Sequence, residues 1–200
     1  MSGRRGSIQP EGTSPEKRTF HMGICAKELR HYVVRPALKH LGMWSPTAEN
    51  LLLGTAARES GLGFHLKLAN HQALGIYQIS PRMHRNIWDL FLAPNPDLSS
   101  KVRGLASQRE FLSHPHHELA TNLVYATAIA WLIYHRSGLK IENIDQDDIA
   151  ALGKLWQKQF HSRNPGTIKS FCESYQQMII ESGSSTEESA YFNRAAAKPA

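Results

Sequence analysis

Through the middle of this chain apolar residues recur every three to four positions, in runs separated by serine–proline and glycine punctuation. That spacing places each run on one face of a helix and excludes a fold built on alternating strands. In the first run Leu29, Val33, Ala37 and Leu41 are spaced by fours, with Pro36 expected to kink or divide the helix. Ser45-Pro46 opens the next: the serine suits the N-cap, and the proline suits the first turn, where its missing N–H costs nothing. This helix should reach about Ser60 and stop at Gly61-Leu62-Gly63. Ser80-Pro81 repeats the device ahead of Met83, Ile87, Leu90 and Phe91, and Pro94 and Pro96 close that run. Val102, Leu105 and Leu112 mark a further amphipathic stretch. The longest helix is expected to begin near Pro115 and run through Leu119, Leu123, Ala126, Ile129 and Ile133 to Ser137-Gly138. Another spans Asp147 to His161, and the last follows Pro165-Gly166-Thr167, with Ile168, Phe171, Tyr175 and Met178 facing inward. Strand-like alternation is confined to Leu74-Gly75-Ile76-Tyr77-Gln78-Ile79, a short hairpin or an extended loop. No fixed-period repeat points to a solenoid. The fold class read from this pattern is all-α.

The chain has 200 residues, enough for one domain with a full core. Its two ends are poor in core-forming residues, so 1–18 and 182–200 read as flexible arms around a helical domain at 19–181. The arms are either simple disordered ends or segments that lie across neighbouring subunits of an assembly. Cys25 and Cys172 read as two small buried thiols in a reducing compartment, or as a pair if the fold joins them. Arg4 and Arg5 are not followed by an apolar run, so no secretory signal is visible. Stretches such as Ala126 to Tyr134 are too short for a membrane span and fit a core helix instead. A net charge of +6 with eleven further histidines favours an anionic partner or environment. The basic residues are scattered and carry no nucleic-acid motif, so a solvated basic surface and a nucleic-acid contact both stand.

One carboxylate stands out. Leu52, Ala56 and Glu59 share a stripe of the helix that begins at Pro46, at spacings of four and three. A carboxyl group on an inward stripe is costly when charged, so its pKa is expected to rise toward the range a general acid needs. The alternative is an ion pair of Glu59 with Arg58 or Lys67 at the helix end.

Glu59-Ser60-Gly61-Leu62-Gly63, then Gly75-Ile76-Tyr77-Gln78-Ile79 and the Ser80-Pro81 helix start together resemble the soluble lytic transglycosylases and goose-type lysozymes. The likeness covers about Ala48 to Trp88, roughly a fifth of the chain. It implies a lysozyme-like helical domain in which a short extended segment or small hairpin lines a groove for peptidoglycan glycan strands. By that resemblance Glu59 protonates the glycosidic oxygen and then serves as base, with the muramyl 6-hydroxyl as nucleophile in the transglycosylase version. One essential carboxylate suffices, unlike the two-carboxylate arrangement of most glycosidases. Ser60 would support Glu59 or contact substrate, and Gly75 would let the backbone approach the sugar. Gln78 would bond N-acetyl groups, and Tyr77 would offer an aromatic face. The family's later Ala-Tyr-Asn helix has its best equivalent in Leu155-Trp156-Gln157-Lys158-Gln159-Phe160-His161. Phe160 then lines the groove in the tyrosine's place and lacks the hydroxyl that orients the glutamate, with Tyr125 or Tyr134 as substitutes.

The chain also resembles small bacteriophage proteins with such domains, through "ARESGLG", "GIYQISPRMHRNIWD" and "NLVYATAIAW". This implies a virion protein, tail or tail-associated, that acts at the host wall and contacts other virion proteins. The rival reading is a non-catalytic tail or baseplate component on the same fold. His84 and Trp88, at helical spacing, either edge the groove or pack in the core. Asp89 is a second carboxylate or a surface ion-pair partner. His114-Pro115-His116-His117 reads as a solvated helix start, with Glu118 at the positive end, because no cysteine or carboxylate set accompanies it. No metal is therefore expected. No cofactor is expected either, since phosphate-cradling and dinucleotide glycine patterns are missing.

Overall fold

A computed structural model describes residues 23–69, 71–138, 141–160 and 167–181. The described secondary structure is helical, with one isolated antiparallel bridge between Leu74 and Ile79. The all-α class holds. The expected arms, 1–18 and 182–200, lie outside the described residues, as do His161, Pro165 and Gly166. Among the described residues no helix is long and apolar enough to cross a membrane.

Helix α1 is continuous through Ala26–Glu28, Leu29–Val34 and Arg35–Leu41. Its middle segment has wider, π-type turns, directly ahead of Pro36. A proline brings no N–H and presses on the carbonyl one turn back. Widened turns absorb that mismatch, so the helix is not divided. Helix α2, Pro46–Ser60, begins and ends as its punctuation predicts. Ser45 Oγ accepts the Ala48 N–H at 3.1 Å. Gly61 closes the helix in the left-handed conformation at φ 61°. Helix α3, Pro81–Ile87, is capped in the same way by Ser80 and runs on through wider turns at Trp88–Leu92.

Two sequence expectations are corrected by caps. The amphipathic stretch through Leu112 is two helices, α4 (Pro96–Leu105) and α5 (Gln108–Ser113), because Ser107 leaves the helix and caps Glu110. The long helix expected from near Pro115 is also two, α6 (Glu118–Thr121) and α7 (Leu123–His135). Asn122, at φ −125° and ψ 95°, turns its side chain onto the Tyr125 N–H and bonds Leu105 O and Glu118 Oε2 with its amide. A short polar side chain that can bond the backbone competes with helix continuation. The chain closes with α8 (Ile149–Phe160) and α9 (Ile168–Tyr175), which runs on through Gln176–Glu181.

Helices α2 and α7 form the centre. Twelve of the fifteen residues of α2 are buried, and in α7 every residue from Tyr125 to Tyr134 is. A helix apolar on all sides belongs inside. Helices α1, α7, α8 and α9 surround α2, while α7 is covered by α1, α3, α4, α6 and α8. Gly54 sets the α2–α9 approach, since a Cβ there would lie 2.3 Å from Phe171 Cζ. Glu59 therefore stands where α2 leaves the core, rather than on one inward stripe of a surface helix.

Candidate active site around Glu59

Glu59 is the second-last residue of α2 and is only partly exposed. Burial lifts its carboxyl to about 7, against the opposing pull of the Trp156 N–H and the Arg58 charge. The carbonyl end of the helix works in the same direction as burial, since it disfavours negative charge. Trp156 Nε1 donates to Glu59 Oε1 at 2.7 Å. The indole itself is fixed on both sides: it stacks on Phe171 with centroids 5.6 Å apart, and the Arg58 guanidinium lies 5.4 Å over its ring. Arg58 does not pair with Glu59 but donates through Nε to Ser170 Oγ at 3.0 Å.

A second carboxylate on the same helix shows the opposite treatment. Glu49 is 1% exposed, and burial alone would push it up. Arg35, Trp44 and Arg30 all donate to it, at 2.6, 2.6 and 3.1 Å, and hold it below its ordinary value. Ten residues of helix separate Glu49 from Glu59, on the order of 15 Å. They cannot flank one glycosidic bond. Asp89 is exposed and makes no salt bridge among the described residues. Among the described residues Glu59 is the carboxyl that burial raises toward neutrality.

The Gly75–Gln78 segment is a small hairpin loop closed by Leu74 and Ile79, whose N–H groups each donate to the other's carbonyl at 3.0 Å. Ser60 joins it to α2: its hydroxyl donates to Ile76 O at 2.6 Å and accepts the Gly63 N–H at 2.8 Å. Among the described residues the only non-glycine residues with left-handed backbone are Leu62, at φ 57°, and Gln78, at φ 47°. One lies in each of the two segments that Ser60 ties together. Such strain persists only where surrounding contacts impose it, and it concentrates at working sites.

Several expected roles change. Tyr77 offers no face to a sugar, being fully buried with its hydroxyl 3.1 Å from Thr127 Oγ1. Thr127 donates to Leu123 O, so the tyrosine is the donor. Gly75, at φ 75°, leaves room for protein rather than for substrate, since a Cβ there would lie 1.6 Å from Leu119 O. Ser60 is buried and joins two segments instead of contacting substrate. Gln78 remains partly exposed, with Nε2 on Gly75 O at 2.8 Å. Phe160 packs on Tyr134, centroids 5.1 Å apart, and the donor that reaches Glu59 is Trp156, about one turn earlier on α8. Tyr134 is the tyrosine in this region. It donates to Thr55 Oγ1, one turn before Glu59, because Thr55 itself donates to Leu51 O.

Sequence reasoning passed over two residues. Trp156 was legible as a helix-face aromatic but not as a donor to a residue 97 positions away. Phe64, 44% exposed, lies next to His65, whose carbonyl accepts from Gln78 Nε2 at 3.4 Å. An exposed aromatic following the Glu-Ser-Gly turn was the available signal. Two surface hollows, of ≈ 500 and ≈ 540 Å³, lie elsewhere: the first is lined by Ser107, Glu110, Glu118 and Asn122, the second by Trp88, Arg103, Gly104 and Gln108. Glu59 lines neither. Cys25 and Cys172 are unpaired and partly exposed, so the paired alternative and the expected full burial both fail.

His84 is buried in the core, whereas Trp88 is half-buried and also lines the second hollow. Tyr125 OH accepts from Trp88 Nε1 at 2.8 Å and lies 2.6 Å from His84 Nε2, while His84 Nδ1 lies 2.9 Å from His116 Nδ1. Burial first, then the neighbouring His116, lowers His84 to about 4. The unfolded chain takes up this proton near pH 6.5 and the native one near 4. Stability from neutral His84 is therefore full above pH 6.5 and falls as pH drops toward 4, by at most about 3 kcal/mol. Urea midpoints of the native protein minus those of His84→Gln should shrink over that window; a difference independent of pH would refute the assignment.

Comparison of the chain with protein-family models, curated proteins and solved structures finds no match.

Proposed function

We propose that this chain cleaves the glycan strands of peptidoglycan, as a protein of lytic transglycosylase or muramidase type on a lysozyme-like domain, carried in a bacteriophage virion. The observation that carries the reading is the Glu59 carboxyl, raised to about 7 by burial and aimed by the Trp156 N–H. A group near neutral pH is both a competent proton donor and, once spent, a competent base. In the reaction the protonated carboxyl gives its proton to the glycosidic oxygen as the anomeric C–O bond breaks. The carboxylate then takes a proton from the muramyl 6-hydroxyl, or from water, as that oxygen bonds to the anomeric carbon. The hairpin ending at Gln78 and the segment carrying exposed Phe64 are both tied to Ser60, the residue after Glu59, and would supply polar and aromatic contacts to the strand. The virion setting rests on the sequence resemblance.

Digestion of purified sacculi between pH 5 and 8, read by mass spectrometry, tests this. Anhydro-muropeptides identify a transglycosylase and reducing ends a hydrolase. No release across the range favours the second reading, a silent virion component. That reading is supported by the internal use of Ser60, Gly75 and Tyr77, all of them absorbed in packing.

The role of Trp156 has its own signature. Its N–H favours the charged carboxylate, so Trp156→Phe should move the loss of activity at rising pH to higher pH. The lost hydrogen bond should also lower the maximal rate by about tenfold. An unmoved alkaline limb would show that Trp156 only fills space.

A further inference from the structure

His114, Pro115, His116 and His117 divide in the folded chain. His116 turns to His84, whereas His114 and His117 stack on each other, with ring centroids 5.0 Å apart and planes within 12°. Both present Nδ1 to the same oxygen, Glu110 Oε1, at 3.5 and 3.2 Å. The carboxylate that the sequence reading found missing thus comes from α5, four residues before His114. All three ligand atoms lie within 4.8 Å of one another.

We propose that Glu110, His114 and His117 bind a divalent transition metal of the zinc class. Imidazole nitrogen with one carboxylate oxygen is a donor set that zinc takes readily and that calcium or magnesium does not prefer. Bonds of about 2.0–2.1 Å at tetrahedral angles put neighbouring donor atoms about 3.3–3.4 Å apart. The two nitrogen–oxygen separations already bracket that value. Only the rings need adjust to bring the nitrogens together.

The frame is held without metal. The His114 N–H donates to Glu110 O at 2.7 Å and the His117 N–H to His114 O at 2.9 Å, fixing the spacing of the three residues. Buried Glu118 closes the segment on itself, accepting the Ser107 N–H at 3.1 Å and the Asn122 amide at 2.9 Å. Two facing imidazoles would repel if both were protonated, whereas a cation placed between them and Glu110 satisfies all three. Among the described residues no fourth histidine, cysteine or carboxylate joins them, and both histidine side chains are 61% exposed. Water or an external ligand would complete the coordination.

The test is titration of the untagged full chain with zinc chloride by calorimetry, and with cobalt(II) by visible absorption. The expected result is one site per chain with the absorption of tetrahedral cobalt. Glu110→Gln should weaken zinc binding about tenfold or more, and His114→Ala with His117→Ala should remove the site. Because Glu110, His114 and His117 are exposed or partly so, these variants should keep the circular dichroism of the parent in chelator. Replacement of exposed His31 and His71 should change nothing. Binding that survives the double variant, or no stoichiometric binding by the parent, overturns the proposal.

Discussion

Glu59→Gln is expected to end the release of muropeptides at every pH while making the protein more stable above neutrality. The two effects share one cause. Burial holds the carboxyl at about 7, so charging it within the fold costs more than charging it in water. Below its unfolded value, near 4.5, native and unfolded chains are both protonated and no penalty exists. Between about pH 4.5 and 7 the native chain holds a proton that the unfolded chain has lost, so stability falls across that window and levels off above it. The full penalty above pH 7 is on the order of 3 kcal/mol. Glutamine keeps an oxygen for Trp156 Nε1 and carries no charge. The variant should therefore match the parent in urea at about pH 4 and exceed it at pH 8 by about 2–3 kcal/mol. For activity, loss of the proposed proton donor should remove at least about a thousandfold of rate. A pH-independent stability difference would mean that Glu59 is not held protonated. Undiminished release would remove it from the chemistry.

Gly75→Ala should be among the most damaging glycine-to-alanine changes at the described residues. The new carbon would lie 1.6 Å from Leu119 O and 2.6 Å from its carbonyl carbon, in a residue already at φ 75°. A clash with backbone cannot be relieved by a rotamer change, so the hairpin and α6 must separate. The expected cost exceeds about 4 kcal/mol in urea, among the largest seen for single substitutions. Gly138 provides the control. It has φ 67° with nothing within 4 Å of a Cβ, so alanine there meets only the left-handed penalty of about 1–2 kcal/mol. Equal effects at the two positions would mean that the hairpin does not rest on Leu119. Under the family resemblance Gly75 was expected to make room for a sugar. The urea experiment separates the two uses, because room for substrate would alter activity without this loss of stability.

Much of the helical order was legible because it depends on neighbours in sequence. Ser45-Pro46, Ser80-Pro81 and Gly61 act within one turn, so helices α2 and α3 begin where read, and α2 also ends there. Pattern alone misled where a polar residue chose between two local bonding modes. Ser107 and Asn122 sit in apolar-periodic stretches, yet each caps the next helix, and Asn122 is held by Leu105 O and Glu118. Leu105 belongs to α4, seventeen residues away, and periodicity could not weigh that partner.

The same division runs through the site. Sequence by itself determined an all-α chain, a carboxylate near the end of a capped helix, and a Gly-Ile-Tyr-Gln loop ahead of the next cap. Tertiary structure decided what each does: Trp156 reaches Glu59 from 97 residues away, Leu119 claims the space at Gly75, and Thr127 takes the Tyr77 hydroxyl. It also decided the fates of Glu49 and Glu59, two carboxylates on one helix. Three donors surround the first and one indole N–H meets the second, so burial is overcome at Glu49 and prevails at Glu59. Helix starts are set by bonds between near neighbours. The charge state of a buried acid is set by groups that only the folded chain brings together.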